Sequence, residues 1–565
     1  MHARHTARWI FTLSLTASTA CYEGTSGTGS SADGTGGSDD ASGSDGSGGT
    51  DDDPPAVGCE GLRPARTPLR RLTDVQYRNT IGDLFAGAIT PSDNFPATSL
   101  GYDYTNEAAA DEISALDVEE VMNAAEDVAD QVMAAIDTVV GCDLSASCVE
   151  GFVDDFGARA FRRPLDADER ALLLAAYDAG AADSPADGIG RVVAVALQMP
   201  QFLYLVESGV IDDEDPNVAR LGDHELAARL SYLLWDTMPD DELRALADAD
   251  ALGDPETLEA QARRLLADGR ADAALGRFHR EWLDLPTLRG NEKDPAMYPG
   301  YGAPQVASML AQVDRLIGGV FRGDEPTLAR LFTADTVDID ANLAPIYGAP
   351  APASGWAPLA LDPTQRAGIL TTPLVLAAQA TQIGSSTVHR GKMVRTRVLC
   401  QPIPPPPPNA TAQAPQLPPD ATERERGEAL MENPECGGCH LQMDGIGFGF
   451  ENFDAIGAWR TTYPTGTAID ATGILASPPE GVESGEFVGA VELATRIAAA
   501  DEVSTCYVEH FVRHARGGPT TTEVEECASD DLAAAFAESG QDLPQLVAAF
   551  VRGDGFRFRD VGGAP

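Results

Sequence analysis

The chain has 565 residues and a formal net charge of -49, from 39 Lys and Arg against 88 Asp and Glu. That acidity argues against binding a phosphate backbone, which needs a basic face, and against docking on an anionic membrane through surface charge. Hydrophobic residues make up 43% of the chain, which excludes wholesale disorder, and no stretch approaches the ~18 apolar residues of a membrane-crossing helix.

The chain opens with Arg4 and Arg8, followed by a short apolar run from Trp9 to Ala20. This pattern predicts an export signal over residues 1–20. It ends in Ser18-Thr19-Ala20-Cys21, similar to a bacterial lipoprotein cleavage site, with Ser18 where Leu usually stands. Cys21 is therefore a candidate for lipidation. Within residues 21–58, the stretch from Gly24 to Asp53 is Gly, Ser, Thr and Asp save for Ala32 and Ala41. Such a tract cannot bury enough surface to offset its ordering entropy and reads as a flexible tether with a reach of roughly 30 Å.

Beyond the tether most of the chain has helical periodicity. Thr73 is placed to cap a helix through Phe85, with Tyr77, Ile81, Leu84 and Phe85 on one face. A long helix is expected over Glu112–Val140 and another over Phe152–Arg162, stopped by Pro164. Asp166 and Glu169 have capping-box spacing. Gly188–Val206 reads as an apolar helix kinked at Pro200, and Asp223 as the cap of the next. Further helices fit Ala271–Trp282, Gln305–Phe321 and Thr364–Gln379. Pro402 and Pro404–Pro408 then predict a stiff spacer between a large helical body and a smaller C-terminal module. In that module Thr422 can cap a helix, Pro464-Thr465-Gly466 suggests a hairpin within Thr461–Leu475, and four helices follow from Phe487 to Arg552.

There are 9 cysteines. With Cys21 set aside, eight remain, and Cys436 and Cys439 stand apart because His440 follows directly. Cys59, Cys142, Cys148, Cys400, Cys506 and Cys527 are candidates for three disulfides in an oxidising compartment. Connectivity is open; proximity in sequence favours Cys142–Cys148 and Cys506–Cys527, leaving Cys59–Cys400.

Cys436-Gly437-Gly438-Cys439-His440 has the C-x-x-C-H spacing of covalent haem attachment. Two thiols one helical turn apart can form thioethers to both vinyl groups of one haem, and the adjacent imidazole then serves as proximal iron ligand. The alternative is a disulfide followed by a chance histidine. A sixth ligand is harder to name. No Met follows Met443, which lies too close to His440 to reach the opposite haem face. His510 and His514 share one face of a predicted helix, so either is a candidate distal ligand. Met393 and Met431 are further candidates, and an open site is the remaining choice. Past the motif, Gly445 and Gly447 allow a tight turn, Phe448, Phe450 and Phe453 are candidate pocket walls, and Asp444, Glu451 and Asp454 are candidate Ca2+ ligands outside the EF-hand pattern. His224-Glu225 lacks the second His of a zinc protease, and neither a P-loop nor a nucleophile elbow is present.

Several further strings stand out: Leu69-Arg70-Arg71-Leu72-Thr73 with Tyr77-Arg78-Asn79-Thr80; Ala160-Phe161-Arg162-Arg163-Pro164-Leu165; Gln198–Glu207; Glu225–Leu243; Arg390-Gly391; and Gly447-Phe448 with Glu451-Asn452-Phe453-Asp454 after the C-x-x-C-H motif. Together they resemble the planctomycete cytochrome-c-like multi-module family. Gly445 stands where the family usually has Pro. Arg162, Arg163 and Arg390 recur in the pattern, and buried or interfacial ion pairing is the expected use. The resemblance implies a string of domains of unknown function around a cytochrome-like module, and it names a haem site but no substrate.

The fold expected is mainly α. Helical modules span 59–145, 146–210 and 211–400, then come a Pro-rich linker over 401–419, a cytochrome c-like module with a small hairpin over 420–485, and a C-terminal helical module over 486–565. The function expected is one-electron transfer at the cell envelope by an exported c-type cytochrome-like lipoprotein with haem c. A basic redox partner suits the charge, and the membrane is touched through the lipid anchor only. The rivals are a haem oxidoreductase with an open iron site and a non-haem surface binding or structural lipoprotein.

Overall fold

Side chains start the helices. Thr73 accepts the Gln76 amide N–H at 3.1 Å, and the Gln76 side chain returns the bond to the Thr73 N–H at 3.2 Å, opening the helix Asp74–Leu84. The same reciprocal box occurs at Ser114/Asp117, Asp166/Glu169, Thr422/Glu425 and Thr522/Glu525. Each such cap is worth about 1 kcal/mol.

The structure is a computed structural model. It describes residues 61–565 except 100, 102, 109–112, 214, 286–291, 406–414, 419 and 563–565. The export signal, the tether, Cys21 and Cys59 therefore lie outside the described residues. The fold is mainly α, with a few small antiparallel sheets.

Three expected helices are broken by identifiable residues. The Glu112–Val140 pattern yields Ala115–Ala134, capped by Ser114, and a separate turn at Ile136–Val139. The Gly188–Val206 pattern yields Pro185–Ala196, then a new turn that Pro200 begins, then the strand Tyr204–Leu205. Proline lacks the N–H that would continue a helix, so it starts one instead of kinking one. Thr364–Gln379 holds only a 3-10 turn at Ile369–Thr371 and the helix Pro373–Ala378, which Pro373 opens. Asp223 is not a cap but the first helical residue after Gly222; its carboxylate accepts the Leu252 and Gly253 amides at 2.6 and 3.1 Å.

Two hydrophobic cores form. The smaller gathers residues from Leu72 to Phe202 with Leu205, Tyr232 and Met238. The larger joins Tyr104 to residues between Leu221 and Phe556 and takes in Trp282, Met393, Ile446, Phe450, Phe453, Phe487 and Tyr507. The prolines after Cys400 therefore do not part the chain into two bodies, because one core takes in residues from both sides of them, and Gly58–Pro565 is one compact unit. Short strands stitch distant segments together. Arg70–Arg71 pairs antiparallel with Tyr204–Leu205, and Val218–Arg220 pairs with both Val210–Ile211 and the C-terminal Phe558–Asp560.

The hairpin expected at Pro464-Thr465-Gly466 forms only in miniature: the Tyr463 amide donates to the Thr467 carbonyl at 2.9 Å, Thr462 bridges Ala468, and the Ile469 amide donates to the Thr461 carbonyl at 3.0 Å. The strands form further on, Thr472–Leu475 against Gly485–Val488, where Gly473, Leu475 and Phe487 are buried. Burial of that face decides which run becomes a ladder.

Candidate functional site

The helix Glu423–Glu432 stops before Pro434. Asn433 turns the chain by accepting the Cys436 and Gly437 amides at 3.1 and 2.7 Å on its carbonyl. Cys436 thereby becomes the N-terminal boundary of a second helix, Gly437–Gly447, which carries Cys439 and His440. Both cysteines are half-buried free thiols. Every other described cysteine is disulfide-bonded.

The disulfides correct the sequence reading. Cys142 is joined to Cys148, but Cys400 is joined to Cys506, so the pairings Cys506–Cys527 and Cys59–Cys400 do not occur. Cys527 is bonded as well. The reason is tertiary. A π turn over Val394–Val398 delivers Cys400 to the helix Asp501–Arg516, across a sequence separation of 106.

His440 Nδ1 lies 2.5 Å from Asp444 Oδ2, one helical turn on. Asp444 is wholly buried, and its second oxygen accepts the Thr387 hydroxyl. Thr387 begins the helix Thr387–Met393, capped by Ser386, on the other side of the prolines. The two helices meet at glycines. A Cβ at Gly391 would strike the Met443 carbonyl, and one at Gly447 would strike the Thr387 carbonyl. Only residues without a side chain permit that approach.

Arg390, 1% exposed, holds the segment after the motif. It donates to the carbonyls of Phe450 (2.9 Å), Phe453 (2.8 Å), Leu376 (3.1 Å) and Asp454 (2.6 Å). Burial pulls its pKa down to about 10. Arg162 acts likewise on the carbonyls of Gln201, Phe202 and Tyr204 at 2.8 to 2.9 Å. The expected ion pairing is therefore corrected for both: each guanidinium spends its fixed donors on a cluster of backbone carbonyls. Arg163 does form an ion pair, bidentate with Glu169 at 2.7 and 2.8 Å.

Phe448, Phe450 and Phe453 are all buried, and Phe450 and Phe453 belong to the larger core. The candidate Ca2+ ligands do not converge. Asp444 serves His440 and Thr387, while Asp454 closes a turn by accepting the Ile456 and Ala458 amides at 3.0 and 2.8 Å. Glu451 is fully buried, 3.7 Å from the Arg460 guanidinium.

His510 and His514 are spent elsewhere. His510 Nδ1 lies 2.8 Å from the Tyr104 hydroxyl, and burial lowers its pKa to about 4. His514 packs on Tyr104 and Phe278 with Glu281 3.9 Å away, and burial pushes its pKa well down. None of these partners belongs to the CGGCH helix. Met393 and Met443 are buried, and Met431 is half-buried with its carbonyl beside Gly437. Sequence reasoning missed Thr387 and His279. His279 Nδ1 bonds the Leu275 carbonyl at 2.7 Å, and the Tyr507 hydroxyl meets its Nε2 at 3.0 Å. Thr387 had one signal nearby, the Arg390-Gly391 string; His279 had none.

Five family models match in order. All are described as proteins of unknown function: DUF1587 over residues 70–134, DUF1595 over 148–207, DUF1592 over 221–349, DUF1588 (short name PSCyt3) over 366–463, and DUF1585 over 484–556. The chain belongs to the planctomycete cytochrome-c-like multi-module family. No curated protein and no solved structure matches it. The cytochrome-like match begins at residue 366, ahead of the prolines. Arg366 there donates to the Gly457 carbonyl, so the two sides of the proline segment are joined within that one match.

The donor set suits a covalently attached haem. Two free thiols with C-x-x-C spacing flank an imidazole whose Nδ1 is already engaged, which leaves Nε2 for iron.

Proposed function

We propose that the chain is an exported c-type cytochrome-like protein that transfers single electrons at the cell envelope. Cys436 and Cys439 would hold the haem through thioethers, and His440 would ligate iron through Nε2. The observation that carries this reading is the pair of free cysteines beside a histidine oriented by a buried carboxylate, in a chain whose other described cysteines are all oxidised. Haem, when bound, supplies a one-electron Fe(III)/Fe(II) couple. The protein's part is placement: Asn433 and the Gly437–Gly447 helix set the thiols, Asp444 orients the imidazole, and Arg390 fixes the segment that follows. Lipidation of Cys21 would tether the folded unit to the membrane by 21–58, and the net charge of -49 favours a basic redox partner.

A second reading, a haem oxidoreductase with an open iron site, is favoured by the commitment of His510 and His514 to the Tyr104 core. One experiment addresses both. The full chain is co-expressed with a cytochrome-maturation system and run on a denaturing gel stained for haem, with the intact mass measured. Haem that survives denaturation supports the proposal; a colourless mature protein with unmodified thiols refutes it and leaves a structural or binding lipoprotein. Carbon monoxide binding to the reduced protein would favour the open site.

A further inference from the structure

The His440–Asp444 pair has a chemical consequence. A ring N–H that donates to a buried carboxylate makes the opposite ring nitrogen a stronger donor to a metal, and buried negative charge nearby favours the more oxidised ion. A backbone carbonyl in the same place would do less, because it carries no net charge.

The geometry points to Asp444 as the residue that sets the electronic character of the iron ligand, holding His440 as an electron-rich imidazole and stabilising Fe(III) over Fe(II), with Thr387 limiting the strength of that pull. This rests on the haem reading above. Asp444 is wholly buried, Nδ1 lies 2.5 Å from its Oδ2, and its other oxygen accepts the Thr387 hydroxyl. Both oxygens are thus directed, one to the iron ligand and one to a helix on the far side of the prolines. The neighbourhood is acidic as well. Glu451 is fully buried, and burial together with Glu451 and Asp444 holds the Glu423 carboxyl above its usual range. A structural role alone would need only one bond to anchor Asp444; the second, to His440, is the one that matters for iron.

Thr387 gives the pair opposite levers. Asp444→Asn removes the negative charge and weakens the acceptor. Thr387→Val, nearly isosteric, removes the competing donor and leaves the carboxylate to pull harder on the Nδ1 proton.

The test uses full-length haem-loaded protein. Covalent haem on a denaturing gel is scored first; its absence from the wild type refutes the haem reading and is a separate result. The midpoint potential is then measured by spectroelectrochemical titration. D444N is expected to raise the Fe(II):Fe(III) ratio at fixed poise at least tenfold, about 59 mV for a one-electron couple. T387V is expected to lower it about threefold. General loosening of the site would move both variants the same way. Shifts of one sign, or an unchanged potential in either variant, would overturn the proposal. If D444N does not mature, T387V decides alone: a downward shift supports the assignment, and no shift or an upward one ends it.

Discussion

Loss of the Cys400–Cys506 disulfide should destabilise the protein far more than loss of Cys142–Cys148. In the chain-entropy account, a cross-link restricts the unfolded chain in proportion to the logarithm of the loop it closes. The separations are 106 and 6 residues. The longer bond is then worth about 5 kcal/mol and the shorter about 2, a gap of about 2.5 kcal/mol that depends only on the ratio of the two separations. Cys506 is also 2% exposed, so its truncation adds a small cavity cost in the same direction. The assay is urea unfolding of C400A/C506A and C142A/C148A beside the wild type, followed by tryptophan fluorescence. Trp282 is a suitable reporter, since its indole donates to the Arg397 carbonyl at 2.7 Å, three residues before Cys400. Non-reducing peptide mapping should recover Cys400 linked to Cys506. Equal losses from the two double variants would refute the reasoning, and a Cys506–Cys527 peptide would refute the connectivity itself.

Gly391→Ala should cost about 1–3 kcal/mol in urea unfolding, because the new methyl meets the Met443 carbonyl where two helices touch; an unchanged midpoint would contradict that packing. Arg390→Met should lose about 3 kcal/mol or more, since four carbonyls, three of them in buried residues, lose a charged donor, and wild-type stability would show that solvent reaches them. Stability should also fall with acid. His279 and His510 have folded pKa values near 4 against 6.5 for the free side chain, so only the unfolded chain takes up their protons as pH drops through that window. From pH 7 to pH 5 the two together should remove about 4 kcal/mol, and H279Q should flatten the dependence; a pH-independent midpoint in this range would contradict the burial. His510→Gln should leave the haem spectrum unchanged, and a shifted Soret band would instead make His510 an iron ligand.

Much of the local structure was legible in the sequence, because caps and turns act over three or four residues. Thr73, Asp166 and Thr422 each start the helix their spacing announces. The CGGCH motif is equally local, and its two thiols and imidazole sit where five consecutive positions put them. Prolines misled at longer range. Pro200 and Pro373 open new turns, and whether a proline kinks, starts or ends a helix depends on what the next segment packs against.

What the sequence by itself determined is the module string, the helical class and the CGGCH string, each carried by contiguous residues. Tertiary structure alone decided that Cys400 meets Cys506, that Thr387 reaches across the proline segment to Asp444, and that His510 and His514 serve a core around Tyr104. The physical reason is common to all three. Burial of apolar faces brings residues together from opposite ends of the chain, and its energy depends on the whole packed surface; no short pattern encodes which partner a side chain will find.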